Sequence, residues 1–288
     1  MFQIVTDACC DLPAKVLAHY KIVSCPMFFE LEGQEYKDDS GETLDYSWFL
    51  TKIKENVEAK TTQINVGKYM ELFRPYAQKN IPVLYVAFSS GLSGSYASSL
   101  LAIDLLKEEY PDFSIISLDT KAASLGEGML VLEAARLRDE KKSLVEVVQW
   151  LEHYKMHLRS WVTVNDLKQL IHGGRISKTQ AALGGLLSIK PIINVDREGK
   201  LQNVDKVRSR KKALNYLLDK TAEGIDLSIS NQLYLAHSGD DEIAEKMVAE
   251  LKKQHPKAVV SSYVLGPTIA SHTGYGCIAV FSMGKQAR

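Results

Sequence analysis

Three stretches of the chain place hydroxyl, cationic and imidazole side chains where they could act on an anion or an ester. Ser89-Ser90-Gly91-Leu92-Ser93-Gly94-Ser95 follows an apolar run and precedes a helical segment. From Gly91 to Ser95 it nearly matches the nucleophile elbow G-x-S-x-G, with Ser95 where the last glycine would stand. His272 comes late in the chain, as the order Ser, acid, His requires, although no acid stands out. A Ser–His hydrolase built on Ser93 and His272 is therefore one reading. In a second reading Ser93 lies beside the free N–H groups and positive end of a helix, a seat for an anion. In a third it only caps that helix. Arg175 follows Gly173-Gly174 and precedes a second pair, Gly184-Gly185, with the apolar segment Leu186–Ile193 beyond. A cation fixed between glycine turns beside an apolar segment suits an anionic head joined to a greasy tail. It also suits a helix–turn–helix connection with a solvated arginine. Thr61-Thr62 lies in a polar loop, Lys60–Gln63, that leads into a helix. Lys206, Arg208, Arg210, Lys211 and Lys212 form a basic cluster, either a solvated helix start or a docking patch for an acidic partner or a phosphate.

The elements that must hold these residues alternate. Phe2–Thr6 reads as a strand, and Asp11-Leu12-Pro13 as a helix start with Asp11 as cap. Ile22–Leu31 reads as one strand, with Gln34–Lys37 as its hairpin partner. Helices follow at Thr43–Val57 and Val66–Gln78, and then Pro82–Phe88, an uninterrupted apolar run expected of a strand buried on both faces. Next come the helix Tyr96–Lys107, the strand Phe113–Leu118 and the helices Ala122–Arg138 and Leu144–Tyr154. This alternation predicts a parallel α/β sheet, with ligands at the carboxyl ends of its strands. In the second half, Leu158–Val164 reads as a strand. Ser177 would cap a short helix through Ala181, Ala182 and Leu183. Ile189–Val195 and Leu201–Val207 form a hairpin, followed by a helix to about Glu223. A strand Gln232–His237, a helix Asp240–Gln254 and strands Val259–Val264 and Cys277–Phe281 complete the pattern.

The chain has 288 residues, 45% hydrophobic and 24% charged, enough for one large or two medium domains. Lys plus Arg and Asp plus Glu are 35 each, so no basic footprint points to nucleic acid. No apolar run of bilayer length and no signal peptide is evident. Cys9, Cys10, Cys25 and Cys277 lack zinc-ligand spacing and fit the reduced thiols of a cytoplasmic protein. Walker A, HExxH and GxGxxG motifs are absent from the sequence.

Taken in order, several motifs resemble one family. They are Val5-Thr6-Asp7 with Asp11-Leu12, Lys60-Thr61-Thr62-Gln63, Ser89 to Tyr96, and Leu118-Asp119-Thr120-Lys121 with Ser124. Further on stand Gly173-Gly174-Arg175-Ile176-Ser177-Lys178, Lys190-Pro191-Ile192, Lys206 to Ala213, and Gly266-Pro267 with His272-Thr273-Gly274 and Gly276. The chain resembles the DegV family of bacterial fatty-acid-binding proteins nearly end to end. It departs from the family pattern at Cys9-Cys10, Ile64 and Tyr275. The resemblance implies two α/β domains, residues 1–155 with a mainly parallel sheet and 156–288 with a mixed sheet, and one long-chain fatty acid buried between them. It implies a carboxylate bound by Thr61 or Thr62 and by Ser93, with Arg175 and His272 close by. It implies no catalytic residues, metal or cofactor in this chain. The partner would be a separate ATP-binding fatty acid kinase subunit that meets Arg208 and makes an acyl phosphate for phospholipid synthesis, with transient membrane contact.

Overall fold

A computed structural model describes residues 2–177, 179 and 189–288. Strand β1 (Gln3–Asp7) runs into a short 3-10 turn, Ala8–Cys10, whose Cys9 N–H donates to the Asp7 carboxylate at 3.1 Å. Asp11 ends that turn in the left-handed region, at φ 52°. It does not cap helix α1 (Ala14–His19), whose N-cap is Pro13. The Asp11 carboxylate instead accepts from the Gly266 N–H at 2.9 Å, 255 residues away.

The strand expected over Ile22–Leu31 is two strands, β2 (Ile22–Cys25) and β3 (Met27–Leu31), in different sheets. Pro26 lies between them and has no N–H to give a ladder, so the chain changes sheets there. After β4 (Gln34–Asp38), helix α2 spans only Tyr46–Lys54, because Asp45 caps it by accepting from the Ser47 N–H at 2.8 Å. The supposed loop at Lys60–Gln63 is mostly strand β5 (Ala59–Thr62), an edge strand paired with β3.

Helix α3 (Val66–Gln78), strand β6 (Val83–Ala87), helix α4 (Ser95–Glu109), strand β7 (Ile115–Asp119), helix α5 (Leu125–Asp139) and helix α6 (Leu144–Tyr154) follow. All five residues of β6 are buried, as its apolar run requires. Helix α6 begins where the sequence places it, because Ser143 and Glu146 form a reciprocal capping box. Then come β8 (Leu158–Thr163), α7 (Lys168–His172), β9 (Ile189–Val195), β10 (Leu201–Arg208), α8 (Arg210–Gly224) and β11 (Gln232–His237). Helix α9 (Asp241–Gln254), strand β12 (Val259–Val264), helix α10 (Pro267–Thr273) and strand β13 (Ile278–Met283) end the series. The helix expected through Ala181–Leu183, and the Gly184-Gly185 pair, lie outside the described residues.

Among the described residues the strands form three sheets. The order β2-β1-β6-β7 is wholly parallel, as expected of the first half. A small antiparallel sheet has the order β4-β3-β5. The third, β10-β9-β8-β13-β11-β12, is mixed: β11 and β12 are parallel and the other pairs antiparallel. Helix α5, buried over most of its surface, packs against β1 and β6 of one sheet and β8, β11 and β13 of another. One hydrophobic cluster therefore joins residues from both halves of the chain.

A second junction lies at the tip of the β9–β10 hairpin. Ser89 Oγ donates to the Gly199 carbonyl at 2.8 Å, which presses the hairpin turn onto the loop that carries Ser93. Gly199 has φ +75°, and an added Cβ would fall 2.1 Å from Ser89 Oγ and 3.0 Å from Lys121 Cα. Gly199→Ala is therefore expected to destabilise the protein by about 2 kcal/mol. Thermal unfolding checks this, and an unchanged midpoint would mean that the turn is not docked there.

Candidate functional site

A cavity with about 840 Å³ of space unfilled by atoms lies against one face of the six-stranded sheet. Strand periodicity explains its wall. Ser160 and Val162 of β8 share a face and stand opposite Phe281 and Ala279 of β13, while Ile193 of β9 stands opposite Val162. These five, with Val195 and Leu201, line the cavity. Met27, Phe88, Leu92, Leu265 and Ile269 are also in its wall.

Polar side chains gather at one part of this apolar chamber. Thr61 Oγ1 and His272 Nε2 are hydrogen-bonded at 2.8 Å. Arg175 Nε donates to the Leu92 carbonyl at 3.1 Å, one residue before Ser93. Gln63 folds over Gly94, where a Cβ would meet its Oε1 at 2.2 Å. Thr61, Gln63, Ser93, Arg175 and His272 all line the cavity.

Each is held by a different element. Thr61 is on the edge strand β5, where alternation turns it inward and leaves Thr62 exposed. Thr62 does not line the cavity. Ser93 precedes the N-cap of α4, Gly94. Its Oγ lies 2.9 Å from Ser95 Oγ and accepts from the Ser95 N–H at 3.2 Å. Arg175 comes straight after the turn that ends α7, as the glycine pair suggested. His272 is on α10, a helix absent from the sequence reading although Gly266-Pro267 signals one, with glycine as cap and proline in the first turn. Its ring fits only because residue 173 is glycine: a Cβ there would lie 2.2 Å from Nδ1.

Burial and the neighbouring Arg175 charge push the His272 imidazole down from 6.5 to about 4, so it is neutral near pH 7. Burial also lowers the Arg175 pKa from its usual value, yet arginine remains charged. Among the described residues, no carboxylate forms an ion pair with Arg175. A half-buried cation without a counter-charge among the described residues, next to hydroxyl groups and beside an apolar chamber, favours an anion with an apolar body.

The hydrolase arrangement is not assembled. Ser93 Oγ is bonded to Ser95 and His272 Nε2 to Thr61, while His272 Nδ1 faces Gly173 rather than an acid. Arg208 lies at the exposed end of β10, outside the cavity lining. Its neighbour Arg210 turns inward and donates to the Gly276 carbonyl. Among the described residues, no group of three His, Cys, Asp or Glu could hold a metal, and no helix is long and apolar enough to cross a membrane. All four cysteines are free and buried.

The sequence pattern of the family described as "Uncharacterised protein, DegV family" matches residues 1–285. The chain belongs to the DegV family. A DegV domain-containing protein of Lactococcus lactis subsp. lactis is 40% identical over 287 residues, 100% of this chain and 99% of that protein. Among solved structures, a stearic acid-binding protein from Eubacterium ventriosum superposes with TM-score 0.88 at 25% identity, covering 99% of each chain. A DegV-family protein from Thermus thermophilus, described by its fatty acid binding, has TM-score 0.83 at 31% identity, covering 98% of this chain and 99% of that one. The DegV fold is thus the fold of this chain, with its parallel sheet in the first half and mixed sheet in the second.

The two threonines give a direct test of the geometry. If the cavity holds a fatty acid as in these relatives, with its carboxylate against Thr61, Thr61→Val is expected to speed its loss about tenfold, the effect of one hydrogen bond to a charged group. Thr62→Val is expected to leave it within about twofold, because that side chain faces away from the cavity. Equal effects of the two substitutions on dissociation rate would show that β5 is in the other register.

Proposed function

We propose that this DegV-family chain binds one long-chain fatty acid, with the tail in the apolar chamber and the carboxylate against Thr61, Ser93, Arg175 and His272. The observation that carries this reading is the half-buried Arg175 guanidinium, without a carboxylate partner among the described residues, beside a chamber walled by aliphatic and aromatic side chains. The bound lipids of its structural relatives support it: stearic acid in the Eubacterium ventriosum protein and fatty acid binding in the Thermus thermophilus protein.

Burying a sixteen-carbon tail gains on the order of 10 kcal/mol over water, at about 0.8 kcal/mol per methylene. A bilayer offers a similar gain, so the head-group contacts and the shape of the chamber decide whether the lipid stays. The N-terminal and C-terminal domains proposed here, 1–155 and 156–288, would enclose the ligand between them. Mass spectrometry of the purified protein, native and then after organic extraction, tests the reading. A mass excess of one fatty acid, released on denaturation, is expected. A lipid-free protein that takes up neither palmitate nor oleate would overturn it.

In the fuller form of this proposal the protein is a lipid carrier rather than an enzyme. It presents the carboxylate to a separate ATP-binding kinase subunit, which makes an acyl phosphate for phospholipid synthesis in the cytoplasm, with transient contact to the membrane. Phosphoryl transfer needs a carboxylate oxygen in line with the donor, so the head group must be reachable on docking. The exposed Arg208 is assigned to that docking face. Arg208→Ala is expected to leave lipid bound but to raise the carrier concentration needed for half-maximal acyl phosphate formation about tenfold. Unchanged turnover across carrier concentrations would remove Arg208 from the interface.

A further inference from the structure

The sheet face that forms the chamber wall is apolar at Val162, Ile193, Val195, Leu201, Ala279 and Phe281. Ser160 breaks the pattern. It is only 4% exposed, it lines the cavity, and its Oγ has no hydrogen-bond partner among the described residues. The hydroxyls of Ser124, Thr163 and Ser262 are also buried without a partner among the described residues, but of these only Ser124 lines the cavity, and Ser160 alone stands on its sheet wall; most other buried hydroxyls are paired. Ser238 donates to the Gly274 carbonyl at 2.6 Å, Ser271 to the Pro267 carbonyl at 2.7 Å, and Thr221 to the Leu217 carbonyl at 2.8 Å. A buried hydroxyl without a partner is destabilising, and an alanine would close the same strand face at no such penalty. The sheet residues beside Ser160 on the chamber wall are apolar and give a water none of the two to four polar partners it needs.

We infer that Ser160 is the contact for an oxygen function carried on the acyl chain, and that the preferred ligands of this chamber are hydroxy fatty acids. This rests on the fatty-acid reading above. A serine hydroxyl both donates and accepts, so it can pair with an alcohol in either sense. An unsubstituted chain leaves Ser160 unpaired. A chain with its hydroxyl at the wrong depth sets a second unpaired polar group against the apolar wall. The preference is therefore positional: one depth of hydroxyl gains, and the others lose.

The test is displacement of a fluorescent fatty acid from the full chain by stearate and by hydroxystearates whose hydroxyl is moved stepwise along the tail. One isomer is expected to bind about fivefold more tightly than stearate, the scale of one net hydrogen bond. In Ser160→Ala that advantage is expected to vanish. If this variant folds poorly, Ser160→Cys, with its weak donor in nearly the same volume, is expected to lose most of the preference. Stearate binding with no isomer better than stearate would overturn the inference while sparing the fatty-acid reading, as would a preference that survives in Ser160→Ala. Failure of stearate and every isomer to bind would overturn both.

Discussion

Arg175→Met is expected to weaken fatty-acid retention about a hundredfold, a loss of about 2.7 kcal/mol. Thr61, Gln63, Ser93, Arg175 and His272 form one polar group in the chamber lining, and near pH 7 the arginine is the only full cation among them, because His272 is pushed down to about 4. A bound carboxylate would lose its counter-charge while staying buried, and the penalty for that exceeds the worth of any one neutral hydrogen bond. Methionine keeps much of the side-chain length and apolar stem, so packing changes little. The check is the dissociation rate of a bound fatty acid, read beside the thermal midpoint, because Arg175 also donates to the Leu92 and Gly173 carbonyls. Arg175→Lys should restore part of the retention. A normal dissociation rate in Arg175→Met would remove the guanidinium from the head-group site.

Glu127→Gln is expected to stabilise the protein, increasingly so as pH rises. Glu127 lies on α5, fully buried; Thr6 Oγ1 donates to its Oε1 at 2.9 Å, while Oε2 has no partner among the described residues. Burial first, and then the nearby Asp7 charge, hold its pKa well above the usual carboxylate value. A group whose pKa is raised by folding contributes its full stability below the unfolded value of 4.5 and loses it as pH climbs towards the folded value. Over that window the wild type loses about 1.4 kcal/mol per pH unit from this residue alone. Glutamine keeps the shape and has nothing to ionise. Urea unfolding of both proteins at pH 5 and pH 9 should show a gap that widens with pH, and parallel curves would mean that Glu127 is not the source of the strain. Asp7, Asp11 and Asp38 are raised by burial in the same way, so the wild-type curve retains an alkaline slope after the substitution.

The parts of the fold that were legible in the sequence are those fixed by neighbours in the chain. The β6 run is apolar at every position because both of its faces are covered, and Ser143 with Glu146 writes the start of α6 into four consecutive residues. The β9–β10 hairpin is set by its own turn, closed by the Gly199 N–H to the Asp196 carbonyl at 3.1 Å. What escaped depends on remote partners. Lys60–Thr62 looks like a loop until β3 is placed beside it. Helix α10 has only seven residues, too short to persist alone, and it is anchored because Asp38 accepts from the Thr268 N–H and hydroxyl. The candidate residues Thr61, Ser93, Arg175 and His272 were found from their own motifs, but nothing local to them could separate Thr61 from Thr62. Ser160 and Gln63 passed unremarked as candidates because their place in the cavity lining follows only from which face of the sheet, or which glycine, they meet.

The position of β13 governs when the protein can begin to work. It is the last strand in sequence, yet it lies between β8 and β11 in the middle of its sheet. Thr61 meets His272 across 211 positions of chain. A ribosome delivers the chain from its amino end, so the parallel sheet can assemble while the other sheet still has a vacant central lane. Until residues 267–283 leave the exit tunnel, His272, Ala279 and Phe281 are missing from the cavity lining. The nascent chain therefore exposes the remaining greasy wall to chaperones before it can close on a ligand. Ligand capture waits on the emergence of β13, and a chain truncated before it should be cleared as a misfolded product instead of circulating as a weak binder.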